Sequence, residues 1–350
     1  MRQVDLSMSG ANTKMAQELA EAPSVILRQD VALERPLADL VLRLKQRPPH
    51  VVVTCARGSS AHAAAFAKHL IERYVGIPVS PAAPSIASIY GSGLHLDGEL
   101  MLAISQSGRS EDLLAMTESA KRSGALVAAV TNAEDSPLAQ MSDVVLPICA
   151  GPELSVAATK TFIGTAAVLA RLVARWSDNH DMERAIERLP QRLAAAAALD
   201  WSAVETTLAD AASLVIIGRG STLAMAREAA LKLKETCHRH AEAFSGAEFL
   251  HGPVSLVSKE YPILMLMPTD AAAPGMRHLA GELQRLGSSL FVADAGDVAG
   301  TRLPALAGEQ PETDAICLIQ SFYAMAVGLA QRLNVDVDRP RHLSKVTNTL

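Results

Sequence analysis

Aromatic residues are the scarcest structural class here, 3% of 350 residues, with two Trp, four Tyr and six Phe. Strands of sandwiches and barrels draw on aromatic and β-branched side chains, so this scarcity, beside an excess of Ala and Leu, argues against an all-β fold and for helix-rich α/β packing. Cysteine is scarce as well. Cys55, Cys149, Cys237 and Cys317 stand far apart and mostly in apolar runs, with no zinc spacing, and they read as buried free thiols of a reducing compartment. An excess of charge is lacking as well: 32 Lys and Arg against 37 Asp and Glu give a formal net charge of −5, which argues against the clustered basic surface that a nucleic-acid partner needs. No uninterrupted apolar stretch reaches membrane-spanning length, and the N-terminus lacks the basic and apolar regions of a signal peptide. A cytoplasmic protein with no membrane partner is therefore expected.

What is present is ample apolar material, 49% of the chain, and enough length for two domains. Met8 to Glu21 is amphipathic, and Pro23 opens a second helical segment that runs to Leu44 and stops before Pro48-Pro49. Val51-Val52-Val53 then predicts a short strand, halted at Arg57-Gly58-Ser59-Ser60 and followed by an Ala-rich helix from Ala61 to Tyr74. Strand, glycine turn and helix in that order open a doubly wound sheet. The unit recurs at Leu100 to Ile104, the Ser105 loop and a helix over Asp112 to Ser123. Leu126 to Thr131 and Val144 to Ile148 are further expected strands, apolar without alternation, as a parallel sheet covered on both faces requires. The pattern restarts at Leu214 to Ile217, where Arg219-Gly220-Ser221-Thr222 repeats Arg57-Gly58-Ser59-Ser60 and a helix is expected from Leu223 to His240. A repeat of domain size follows. Ile263 to Met267, Leu290 to Ala293 and Ala315 to Ile319 are expected to complete the second sheet, and a helical linker is expected within Asp178 to Asp200.

Three places could carry chemistry. Ser105-Gln106-Ser107-Gly108-Arg109-Ser110 lies between a strand's carboxyl end and a helix start, where backbone N–H groups and hydroxyls can hold a phosphate dianion. No lysine follows in the spacing of a nucleoside triphosphate loop. Ser110 could instead merely cap the helix. Glu228, Lys232 and Glu235 fall on one stripe of a helix otherwise rich in Ala and Leu. That stripe is either a solvated ion-pair ladder or a carboxylate base held by a lysine. Lys234 points elsewhere. His251, before Gly252-Pro253, sits in a turn where an imidazole can face a cleft, and Thr159-Lys160-Thr161 could be no more than a helix N-terminus.

Together, Ser105-Gln106-Ser107-Gly108, Gly151-Pro152-Glu153 with Val156 to Lys160, Ala230 to Glu235, His240 to Ala243, His251-Gly252-Pro253 and Asp336 to Arg341 resemble the sugar isomerase domain family in its tandem form. The likeness is to the isomerase half of the glutamine–fructose-6-phosphate aminotransferases. It implies two flavodoxin-like α/β domains, at residues 47–195 and 196–335, after a helical segment over 1–46 and before an active-site tail over 336–350. It also implies a homodimer with shared active sites, a hexose 6-phosphate substrate, and no metal or organic cofactor. Substrate would be held by Ser59, Ser60, Ser105, Gln106, Ser107, Ser110, Val156, Glu228 and Ser344. Glu235 would move the proton between C1 and C2 with Lys232 assisting, His251 from the neighbouring subunit would open the ring, and Lys345 would reach the substrate carbonyl. Arg109-Ser110 departs from the Glu-Thr common in that family. The glutaminase half of those enzymes has no counterpart in these residues, so the reverse direction is expected: conversion of glucosamine 6-phosphate to fructose 6-phosphate and ammonia. Galactosamine 6-phosphate as substrate and a non-catalytic sugar-phosphate regulator are the alternatives.

Overall fold

The computed structural model describes residues 13–345. Two five-stranded parallel sheets carry the architecture. The first comprises β1 (Val52–Cys55), β2 (Val79–Pro81), β3 (Leu100–Ser105), β4 (Leu126–Thr131) and β5 (Val144–Pro147), in the order β2-β1-β3-β4-β5. The second comprises β6 (Ser213–Gly218), β7 (His240–Ser245), β8 (Pro262–Leu266), β9 (Ser289–Asp294) and β10 (Thr301–Pro304), in the order β10-β9-β8-β6-β7. Read from the first strand of each, both orders are the flavodoxin-like one, so the repeated loop sequences mark a repeated fold.

Each sheet is apolar on both faces, and successive residues serve different cores, as a pleat with a period of two requires. Val52, Leu100, Leu102 and Ile104 join a large central cluster, while Val53, Cys55, Met101 and Ala103 join a separate outer cluster with Leu113 and Met116 of the helix Glu111–Arg122. The second sheet repeats the division, with Leu214 and Ile216 inward and Val215 and Ile217 outward. The central cluster is common to both halves. It is filled by four long helices: Gly58–Tyr74, Lys160–Trp176, Ser221–Cys237 and Pro311–Arg332. The last of these is long and apolar enough to cross a membrane, but 89% of its apolar window is buried inside the protein, which accounts for its composition.

The sequence-based elements hold, with corrections. Ala315 to Ile319, expected as a strand, lies inside the helix Pro311–Arg332, and the fifth strand is Thr301–Pro304. An apolar run buried on all sides reads alike as strand or helix, and here the length of the surrounding helix decides. The helix expected to reach His240 stops at Cys237, because His238 takes a left-handed conformation (φ 52°), and His240 opens a strand. The short edge strand Val79–Pro81 escaped notice. The expected amphipathic helix from Met8 is seen from Lys14 to Ala20, and its earlier residues lie outside the described ones. Cys55, Cys237 and Cys317 are buried free thiols as expected, while Cys149 is half-buried. The expected linker contains the helix His180–Ala197.

The turn out of β6 leaves no room for a side chain at Gly218, where an added Cβ would stand 2.5 Å from the Thr222 carbonyl oxygen. Gly275 has open space at the same position. Gly218→Ala is expected to lower unfolding free energy by about 1–3 kcal/mol in urea titrations, and Gly275→Ala to leave it nearly unchanged. Equal stability of the two variants would refute this account of the turn.

Candidate functional site

The loops that follow β1 and β3 diverge at the point where the strand order of the first sheet reverses, which opens a crevice at the carboxyl ends of those strands. A cavity of about 200 Å³ lies there. Arg57, Ser59 and Ser60 enter it from the first loop, Gln106 from the second, and Lys232 and Glu235 from the helix Ser221–Cys237 of the second half. Val156 and the tail residues Ser344 and Lys345 complete its rim. Eight of the residues marked out by sequence thus meet in one place: Ser59, Ser60, Gln106, Val156, Lys232, Glu235, Ser344 and Lys345.

The Ser105 loop is rigid by construction. Gly108 adopts φ 61°, and a Cβ there would run into the Ser136 hydroxyl. The Gly108 N–H donates to Ser105 Oγ at 3.2 Å. Ser105 is therefore buried in the loop's own framework, while Gln106 and Ser107 are half-exposed. Ser110 occupies the N-cap position of the following helix, but its hydroxyl makes no capping bond, so capping does not account for it. Arg57 was not among the expected residues. Its Nε and Nη2 donate to the buried Asp112 at 2.9 and 2.8 Å, which sets a cation at the cavity wall beside the loop.

Beneath the cavity lies a network of buried charge. Glu228 is 0% exposed, so the solvated-ladder reading of its stripe fails. Its Oε1 accepts from Ser59 Oγ at 3.0 Å and from the Tyr323 hydroxyl at 3.0 Å, and its Oε2 lies 2.8 Å from His62 Nδ1. Lys232 Nζ lies 3.3 Å from Glu228, donates to Ser59 Oγ at 3.0 Å, and donates to Glu235 in a short contact. Burial alone would push the Glu228 carboxyl up, but Lys232, then His62 and Ser59, outweigh it and hold the carboxyl below its ordinary value. For Lys232, burial would push down, and Glu228 and Glu235 outweigh it and raise the ammonium above its ordinary value. Burial, followed by the charge of Glu228, drives the Tyr323 phenol well above its own. At neutral pH Glu228 and Lys232 under the floor are a carboxylate and an ammonium, and Glu235, 21% exposed in its side chain, is the acidic residue that reaches the cavity.

A second buried carboxylate ties the rim. Glu153 Oε1 accepts from the backbone N–H groups of Thr159 at 2.9 Å and Thr161 at 3.2 Å, so it caps the helix that begins at Lys160. Its Oε2 accepts from Gln106 Nε2 at 3.0 Å and from Lys345 Nζ at 3.3 Å. Lys345 also donates to the Ser155 carbonyl at 2.7 Å. Val156 N–H donates to the Asp338 carbonyl at 3.1 Å, and Asp338 accepts from the N–H groups of Lys14 and Met15 at 2.8 and 2.9 Å. The tail over 338–345 is thus fixed at both ends.

Five expected residues do not line the cavity: Ser105, Ser107 and Ser110 belong to the loop beside it, and two others stand apart. His251 follows the short helix Gly246–Leu250 and is exposed at the surface, outside this cavity. Glu228 lies under the floor and acts on the cavity through Ser59 and Lys232. The residues that sequence missed, Arg57, His62, Glu153, Thr161 and Tyr323, had uneven signals. Glu153 belongs to a quoted motif, whereas Tyr323 lies in an apolar helix that offers none.

The SIS domain family matches this chain over residues 47–175 and 207–292. Glutamine–fructose-6-phosphate aminotransferase of Zymomonas mobilis is 32% identical over 357 residues, covering 95% of this chain and 58% of the relative. That of Halobacterium salinarum is also 32% identical, covering 96% and 59%. The chain therefore spans a little under three fifths of the length of these curated relatives. Among solved structures, a candidate phosphosugar isomerase of Silicibacter pomeroyi is 40% identical with a TM-score of 0.89, covering 93% of this chain and 100% of that one. Glucosamine-6-phosphate deaminase of Thermotoga maritima superposes with a TM-score of 0.73 at 20% identity, covering 96% and 100%, a likeness of fold. The chain belongs to the SIS domain family and is homologous, over nearly all its length, to the isomerase part of the glutamine–fructose-6-phosphate aminotransferases.

Proposed function

We propose that this sugar-phosphate isomerase acts on glucosamine 6-phosphate and releases fructose 6-phosphate and ammonium. The observation that carries this reading is the Lys232–Glu235 pair at the wall of the cavity that also receives Ser59, Ser60 and Gln106. A hydroxyl- and amide-rich loop can take the phosphate, a site remote from C1 and C2 whose binding energy orients them. Ser60, Gln106, Ser107 and Ser110 are the groups for it, with Arg57 alongside. Glu235 then takes the C2 proton of the open-chain aldehyde and returns it to C1, while Lys232 holds Glu235 in place and steadies charge on the oxygen at C1. The electron pair of the C2–H bond moves into the C1–C2 bond of an enolamine as the oxygen at C1 takes a proton, and protonation at C1 with loss of a proton from nitrogen leaves an imine at C2. Water adds to that carbon, and the C–N bond breaks to give the ketone and ammonium. Lys345, held by Glu153 and the Ser155 carbonyl at the cavity rim, is the proposed partner of the substrate carbonyl. His251 of a second copy is the proposed ring opener, which makes the working unit a homodimer.

The thiols are compatible with the proposed direction. Burial pushes Cys55 up to about 12, Cys237 up to about 11 and Cys317 up to about 12, and Cys149 is also raised by burial. None of them is poised as the thiolate that glutamine hydrolysis requires, which supports a reading in which these residues work with free ammonia. The same unpaired thiols fit the cytoplasm. Galactosamine 6-phosphate is the second candidate, since the stereochemistry at C4 is read by cavity shape.

Offered each amino sugar phosphate in turn, the purified chain should release ammonium from the preferred epimer, and Glu235→Gln should lower kcat by about 10²–10⁴-fold. No release from either substrate would refute the deaminase reading, and full activity in the variant would remove Glu235 as the base.

Glu228 gives a second prediction. A carboxyl depressed on folding stabilises the fold above the ordinary carboxylate range, and that stability is lost as pH falls through the depressed value. Lys232, being raised, stabilises below about 10.4 and loses its contribution as pH rises through its folded value. Both contributions are present at pH 7. Glu228→Gln is expected to lose about 3 kcal/mol or more at pH 7 and to flatten the acid side of the stability profile in urea unfolding. An unchanged profile would show that the buried pair does not support the fold.

A further inference from the structure

A second cavity, of about 530 Å³, lies beside the point where the tail leaves the last helix, and its wall carries His238, Arg239, Asp336, Arg339 and Arg341. None of the three guanidiniums has a carboxylate partner among the described residues. Arg239 donates through Nε to the Leu208 carbonyl at 3.2 Å and through Nη2 to the Ala209 carbonyl at 2.5 Å. Arg341 Nη2 lies 3.0 Å from His238 Nδ1. With Nδ1 accepting from Arg341, the imidazole proton sits on Nε2, a buried nitrogen with no partner among the described residues. Asp336 is the one carboxylate on this wall, and its Oδ1 is engaged by the backbone N–H groups of Asp338 and Arg339 at 3.0 and 3.2 Å.

Basic residues gather at helix C-termini to offset the negative end of the dipole, and two helices end here, at Cys237 and Arg332. That demand is small. Two ends of about half a charge each, with Asp336, amount to roughly −2 against three guanidiniums, so about one positive charge is left over. The excess stands out in a chain whose net charge is −5. The field is positive at His238 itself: after burial, Arg341, Arg239 and His342 all push its pKa below the ordinary value.

We propose that this cavity binds the phosphomonoester of a small phosphorylated metabolite, and that the bound anion holds the tail closed over the sugar-phosphate cavity. Guanidinium forks match phosphate oxygens in number and direction, and the volume leaves space for the rest of a metabolite. The anion would bridge the body of the second half, through Arg239, to the tail, through Arg339 and Arg341. The same short segment carries Ser344 and Lys345 to the other cavity. Anion occupancy therefore changes how long Lys345 stays in place. The binding site stands on its own residues, while its effect on turnover rests on the function proposed above.

Calorimetric titration of the full chain with inorganic phosphate tests both parts. Two classes of phosphate site are expected. Ser60→Ala should weaken one, and the double variant Arg339→Gln/Arg341→Gln should weaken the other by about tenfold or more. In steady-state assays phosphate should raise the apparent KM through the first class and change kcat through the second. The double variant should keep the KM effect and lose the kcat effect. A single class of site, weakened by Ser60→Ala and untouched by the arginine substitutions, would overturn the proposal, as would a kcat response that survives them. If Ser60→Ala leaves both classes intact, the failure belongs to the phosphate loop of the proposed function, and the arginine result still decides this site.

Discussion

The buried ion pair between Glu228 and Lys232 is the constraint on which the rest of the site depends. Each ion loses several kcal/mol of hydration on burial, and their mutual attraction repays this only if the remaining lone pairs and protons find partners. Those partners come from far apart in the chain. Ser59 and His62 belong to the first half, Tyr323 to the last helix, and Glu235 to the same helix as the pair. Satisfying the pair therefore fixes the helix Gly58–Tyr74 against Ser221–Cys237 and Pro311–Arg332. That packing places the first half's loops opposite the second half's helix, and the cavity is the space left between them. Ser59 serves both roles, since its hydroxyl donates to Glu228 and accepts from Lys232 while its residue lines the cavity.

The repeat shows how the same local sequence can end differently. Arg57-Gly58-Ser59-Ser60 opens onto a cavity, whereas Arg219-Gly220-Ser221-Thr222, at the equivalent switch point of the second sheet, is closed. Thr222 Oγ1 donates to the Leu266 carbonyl at 2.9 Å and Ser221 Oγ to the Pro311 carbonyl at 3.2 Å. The first half's own helix fills the remaining space, with His69 against Gly220 and Arg73 paired to Asp270 at 2.7 Å and to the buried Glu312 at 3.2 Å. Hydroxyls spent on carbonyls cannot hold a phosphate. One copy of the loop has become an inter-half contact, and the other keeps its groups directed at the crevice.

Much of this was legible in the sequence, for identifiable reasons. The strands of the first sheet declare themselves because they are buried on both faces and end at glycine turns. The Ser105 loop is visible because four hydroxyl or amide side chains fall together at a strand end. The stripe of Glu228, Lys232 and Glu235 follows from helical spacing. Burial was not visible. Spacing gives a shared face, but the direction of that face, toward solvent or toward Tyr323, is set by a helix that begins some eighty residues after Glu235. Nor did spacing separate Ala315 to Ile319 from a strand, because complete burial erases the periodicity that distinguishes the two. Arg57 reads in sequence only as part of a turn, and its place at the cavity wall depends on Asp112 in the first turn of the helix Glu111–Arg122.

Depth also separates the two carboxylates that helical spacing makes look equivalent. Glu228 and Glu235 flank the same lysine, at i−4 and i+3, and both accept from its ammonium. Glu228 has all its capacity taken by four side chains and no path to solvent, so a proton delivered there would leave Lys232 without its buried counter-charge. Glu235 shares the lysine but keeps part of its carboxylate at the cavity. It can accept a proton while Glu228 continues to hold the ammonium in place. A general base needs a neighbour whose charge does not move during the reaction, and the fully buried carboxylate gives Lys232 that fixed partner. The roles of structural anion and proton carrier are thus divided along one helix by two turns of rise.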